Sequence, residues 1–195
     1  MIWVRSWPAK QDMPRLKDRA RVKDALPKIR CVDFDLGPGL RRFYDQVGHA
    51  DLIVIEWDLA VSPEDKATFE AWLDATNCLK WQRVGVAPYR LYTANPGTPY
   101  SEAPWVHRRL PERPDMQIDV GGTPVMIDSM PRWVTEGEPT CDWFGFGLIY
   151  LPFPVVRDYL KDGGPMRDTP FSQWYSERYG TTPICWDCRP VHLHV

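Results

Sequence analysis

The chain has 195 residues, 44% of them hydrophobic, with 10 tryptophans and a formal net charge of -2. That is enough apolar mass for one sizeable domain with its own core. The near-neutral balance, with an isoelectric point near 6.1, excludes a general electrostatic pull toward nucleic acid or anionic membranes, and no apolar run approaches the ~20 residues of a membrane span.

The opening residues MIWVRSWPAK carry charge too early, and too short an apolar run, for a signal peptide, so a cytoplasmic location is expected. IWVRS reads as a strand. Residues 14–26, with Leu16, Ala20 and Leu26, read as an amphipathic helix stopped by Pro27. IRCVDFD reads as a second strand. GLRRFYDQV reads as a helix with Leu40, Phe43, Tyr44 and Val47 on one face and Gly48 past its end. Leu52 to Ile55 is an apolar run suited to a strand covered on both faces. Ser62 then suits an N-cap, Pro63 the first helical position and Asp65 a capping box, ahead of an apolar face of Phe69, Trp72 and Leu73. Strand, helix, strand, helix, strand implies right-handed crossovers and a parallel sheet core.

Downstream the periodicity weakens. WQRVGVAPYRLYT reads as a further strand, whereas residues 93–122, with Pro96, Pro99, Pro104, Pro111 and Pro114, read as a long irregular excursion. TPVMIDSM and FGFGLIYLP read as strands. Helices are expected at 154–162, closed by Gly163 and Gly164, and at 170–179, closed by Gly180, before an extended tail PICWDCRPVHLHV. No repeat, low-complexity tract or linker divides the chain.

Glu56 and Asp58 stand at the carboxyl end of the third strand, the edge where open α/β sheets bind ligands. Residues two apart on an extended segment share a side, so both carboxylates can converge on one cation while Trp57 faces away. Oxygen ligands of this kind suit Mg²⁺ or Mn²⁺. The plainer alternative is a pair of solvated acids at a strand end.

Taken in order, the triplet EWD, the segments CDWFGFG and FGFGLIYLP, DTPFSQW and the tail VHLHV resemble the nucleotide-sugar glycosyltransferases with one GT-A-like domain, of a small, phage-encoded type. The resemblance implies an α/β fold with a mixed, mainly parallel central sheet flanked by helices. It implies a nucleotide- and metal-binding half at 1–92 and an acceptor-side half at 93–195 within that single domain. It implies metal-dependent transfer of a sugar from a nucleoside-diphosphate donor to a hydroxyl of a glycan, a protein or a modified base. Asp58 would be the direct ligand of Mn²⁺ or Mg²⁺, Glu56 would act through water or on the donor ribose, and His192 or His194 would add a nitrogen ligand. Asp142 and Asp168 are the candidate bases for the acceptor hydroxyl, each with the plainer reading of a loop acid or a helix cap. Arg5 and Ser6 would meet the nucleotide, Asp33 or Asp35 its base or ribose, and Arg108 with Arg109 a phosphate.

A competing reading starts from the cysteines. Five of them, Cys31, Cys78, Cys141, Cys185 and Cys188, fit a reducing compartment better than a disulfide scaffold. Cys185, Cys188, His192 and His194 have the ligand types of a zinc site, although they fall within ten residues. On that reading the protein is a non-catalytic, zinc-stabilised binding or assembly module.

Overall fold

A computed structural model describes residues 1–7, 29–33, 38–57, 59–89, 106–108, 117–120, 123–126 and 132–192. The expected helix at 14–26 lies outside these residues. The central sheet contains β1 (Ile2–Trp7), β2 (Arg30–Asp33), β3 (Leu52–Ile55), β5 (Gly85–Ala87) and β12 (Leu148–Leu151), in the order β2-β1-β3-β12-β5. β1 pairs in parallel with β2 and with β3, while β12 runs antiparallel to both β3 and β5. The fold is therefore α/β around a mixed sheet. Four of its five strands share one direction, and β12 opposes them.

The sequence explains why this sheet is central. Every residue of β3 and of β12 is buried, as expected for strands covered on both faces. Val54 and Ile149 pack in one core cluster with Val4, Val86 and Phe171, and Ile53 and Tyr150 in the other with Leu59, Phe69 and Leu73. Each fully buried side chain of this size contributes roughly 1.5–3 kcal/mol of transfer free energy.

Helix α1 (Pro38–Val47) buries Leu40, Phe43 and Tyr44, the stripe its spacing predicts. Helix α2 (Pro63–Ala75) opens on a complete capping box: the Asp65 amide donates to the Ser62 hydroxyl, and the Ser62 amide donates to the Asp65 carboxylate. The expected strand at residues 81–93 begins later than its sequence suggests. Trp81 ends a short helix α3 (Cys78–Trp81), Gln82 takes a left-handed conformation, and only β5 is extended among the described residues of that segment.

The irregular excursion expected at 93–122 contains β6 (Val106–Arg108) and β7 (Gln117–Val120). Their partners are remote or unpatterned: β6 lies between β9 (Arg132–Trp133) and β11 (Trp143–Phe144), and β7 pairs with β8 (Thr123–Met126). Pairing of this kind rests on tertiary contacts rather than local preference. FGFGLIYLP is likewise not one strand, since β11 ends at Phe144 and β12 begins at Leu148. Helices α4 (Phe153–Lys161) and α5 (Asp168–Tyr179) follow close to their expected bounds. Short pairs complete the fold: β10 (Thr140–Cys141) with β13 (Thr182–Pro183), and β4 (Leu59–Ala60) with β14 (Val191–His192). No helix among the described residues is long and apolar enough to cross a membrane.

Candidate functional site

β1, β2 and β3 end on the same edge of the sheet, which gathers Ser6, Asp33 and Glu56 at neighbouring strand ends. The chain does not stay extended beyond β3. Trp57 lies in a turn closed by the Leu59 amide, which donates to the Glu56 carbonyl at 3.1 Å. The alternation that would turn Glu56 and Asp58 to one side and Trp57 to the other therefore does not apply, because that rule needs a continuous strand. Asp58 itself lies outside the described residues, as do Asp35, Arg109 and His194. Asp33 and His192 are described in backbone only.

Arg5 holds this turn. It is 2% exposed, and its Nη1 donates to the carbonyls of Glu56 and Leu59, each at 2.8 Å, and of Trp57 at 3.4 Å. Burying a guanidinium is costly unless its charge is matched by acceptors, and three converging carbonyls supply them to Nη1. The residue expected to meet a nucleotide thus positions the acidic turn from below. Nothing local in the sequence signals the contact, since more than fifty residues separate the partners.

The other side of the turn is fixed by the glycine-containing segment. The Glu56 amide donates to the Gly147 carbonyl at 2.7 Å, extending the β3–β12 ladder by one bond. Gly147 has no room for a side chain: a Cβ there would lie 1.9 Å from Tyr89 Cδ1 and 3.0 Å from Leu59 Cδ1. The tail closes the arrangement. β14 lies antiparallel to β4 with His192 opposite Leu59 and Val191 opposite Ala60, so the histidine-bearing strand joins the chain at the residue following Asp58.

Arg108 and Asp142 also meet, away from this turn. Arg108 Nη1 is 3.9 Å from Asp142 Oδ2, and Nη2 reaches Glu138 Oε2 at 3.4 Å and the Thr140 carbonyl at 2.6 Å. Asp168 behaves differently. It opens α5, and its Oδ1 accepts the Thr169 amide at 2.7 Å, which favours a negative charge at a helix start. α5 packs on β11 through Phe171 and Tyr175 against Phe144.

The two tail cysteines are buried. Burial pushes the Cys185 thiol up to about 11, against amide hydrogen bonds from Cys188 and Asp187. It also raises Cys188, which donates toward the Asp65 carbonyl at 3.5 Å. Among the described residues no group of three or more His, Cys, Asp or Glu side chains could hold a metal; the side chains of Asp58, His192 and His194 fall outside that description.

Two residues that carry this geometry escape sequence reading. Asp65 looks like a helix cap alone, yet it also accepts the Arg189 amide at 3.0 Å. Gly147 shows its importance only once Tyr89 is packed against it.

No protein-family model matches the chain, and no curated protein matches it. Among solved structures it is similar to A197 from STIV, with a TM-score of 0.59 and 12% identity, over 100% of this chain and 87% of that one. At that identity the likeness establishes a shared fold.

Proposed function

We propose that this protein is a metal-dependent glycosyltransferase with a GT-A-like fold, moving a sugar from a nucleoside-diphosphate donor to an acceptor hydroxyl. The observation that carries the reading is the pairing of β14 with β4, which brings the tail strand beside the acidic turn at the carboxyl edge of the sheet. Two carboxylates and an imidazole form a donor set suited to Mn²⁺ or Mg²⁺, and Glu56 is half-buried at a strand end rather than in the core. Asp58, with His192 or His194, would hold the ion, and Glu56 would support it or bind the ribose. A bound divalent ion would neutralise charge developing on the diphosphate leaving group.

The chain's own residues supply the remainder. Arg5 fixes the Glu56, Trp57 and Leu59 carbonyls, so Glu56 starts from one backbone geometry rather than several. Ser6 and Asp33 border the same edge, where a nucleotide would lie. Asp142, 3.9 Å from the Arg108 guanidinium, and Asp168, whose Oδ1 accepts the Thr169 amide, are the candidate bases. A base of this kind takes the proton of the acceptor hydroxyl as that oxygen attacks.

The test is nucleoside-diphosphate binding followed by thermal shift with and without Mn²⁺, since a ligand of the native state raises the melting temperature by mass action. Asp58→Ala is expected to abolish the Mn²⁺-dependent part of the shift while leaving the metal-free melting temperature within a few degrees. Unchanged Mn²⁺-dependent binding in that variant would falsify the assignment of the acidic turn.

A further inference from the structure

Helices α1 and α4 lie antiparallel. Arg41, near the start of α1, donates from Nη2 to the Leu160 carbonyl at the end of α4 at 2.7 Å, while His49, just past α1, stacks on Phe153 at the start of α4, with ring centroids 4.4 Å apart. Between the helices runs a cleft of about 260 Å³. Its Phe153 end lies at the amino edge of β3, where Asp51 meets the start of α4.

The lining has two parts. Its floor is aromatic: Tyr44 meets Phe153 edge to face at 5.0 Å, and His49 lies flat on the same ring. Its rim is cationic, with Arg41, Arg157 and Lys161 against Asp45 as the single lining carboxylate. Arg157 shares its charge with Asp158 at 2.9 Å. Arg41 and Lys161 have no carboxylate partner among the described residues. Cations gathered on two facing helices repel one another, and an anion between them relieves that repulsion.

Two further observations narrow the occupant. The start of α4, the other place an anion could settle, is already filled: Asp51 accepts the Phe153 amide at 2.9 Å and the Tyr150 hydroxyl at 2.8 Å. An incoming anion is therefore left the Arg41 and Lys161 end. The volume suits one ring and one phosphate and lies just below the usual range for drug-sized ligands, roughly 300–1,000 Å³.

We propose that this cleft is a second binding site, for a small phosphomonoester with a flat, unsaturated body. The phosphate lies between the guanidiniums of Arg41 and Arg157 and the Lys161 ammonium, and the flat part packs against the aromatic cluster of Tyr44, Phe153 and His49. Guanidinium groups suit phosphate because their planar forks donate two parallel hydrogen bonds.

The probes are phenyl phosphate and inorganic phosphate, titrated calorimetrically into the full chain in the presence of EDTA, so that divalent ions at the acidic turn take no part. Phenyl phosphate is expected to saturate at least roughly fivefold more tightly than inorganic phosphate, because only it packs against the aromatic cluster. Lys161→Gln and Arg41→Gln should each weaken it by roughly fivefold or more, the scale of one charge-assisted hydrogen bond. Lys80→Gln, exposed on α3, should leave it unchanged. Lys161→Gln removes only a surface ammonium at a helix end, so its result stands even where Arg41→Gln disturbs the helix pair. The proposal is overturned by equal affinity for the two probes, by no saturable binding at millimolar phenyl phosphate, or by a Lys161→Gln variant that binds as the wild type does.

Discussion

Asp65 ties two distant parts of the chain through one carboxylate. It accepts from Ser62 within its own helix cap and from the Arg189 amide in the tail. Burial opposes the charge, but hydrogen bonds from the Ser62 hydroxyl, the Arg189 and Ser62 amides and the Cys188 thiol outweigh it and hold the carboxyl below its ordinary range. A folded value below the unfolded one means that the stabilisation is complete above the ordinary aspartate range, near 4, and is lost as pH falls through it. Glu70 is shifted in the same direction: hydrogen bonds from Trp3 and Lys66 outweigh its burial. We therefore expect the wild-type urea midpoint to fall between pH 5 and pH 3. Asp65→Asn should be less stable by about 1 kcal/mol at pH 7, the usual scale for a lost cap, and should fall less steeply with acid. Parallel pH profiles for the two proteins would rule out Asp65 as a source of the slope. The cap was legible because Ser62 and Asp65 are three residues apart. The tail contact was not, because no spacing rule reaches across 124 residues.

At the level of elements, β12 shows where sequence patterns stop being informative. Its apolar run marks a buried strand, and the burial of all four residues agrees. The glycines before it suggest a close approach without saying to what. Tyr89, 6% exposed, fills the space beside Gly147, so Gly147→Ala must displace the ring or the strand. Overpacking of this kind costs typically 1–3 kcal/mol. Chemical denaturation should show a loss of that size, and Tyr89→Leu in the same chain should recover part of it, since the two residues share one space. An additive double variant would mean that the clash is relieved elsewhere. The acidic turn carries a similar lesson. Glu56 was legible as an acid at a strand end, but not the turn that replaces the extended chain, because the cation that holds it comes from β1. Strands β6 and β7 were missed for a related reason: short strands in a proline-rich segment exist through their partners.

The molecule as a whole is interleaved. The alternation of the first third correctly implied parallel pairing of β1, β2 and β3, because connections of that length leave few other topologies. Nothing there announced that a strand from the later half would sit between β3 and β5, since an antiparallel partner from afar leaves no mark on local periodicity. Consequently residues 1–92 hold four strands of the sheet but not β12, which joins β5 to the other three. We expect a 1–92 fragment to lack a cooperative thermal transition and to exchange its amide protons rapidly, where the intact chain protects β3 and β12 most strongly. A fragment that melted cooperatively would show the first half to be a folding unit in its own right. The same feature governs the chain's passage off the ribosome. At about 5–20 residues per second, several seconds separate the synthesis of LIVI from that of LIYL. Throughout that interval the apolar LIVI segment lacks its β12 partner, which leaves it open to pairing with other polypeptides.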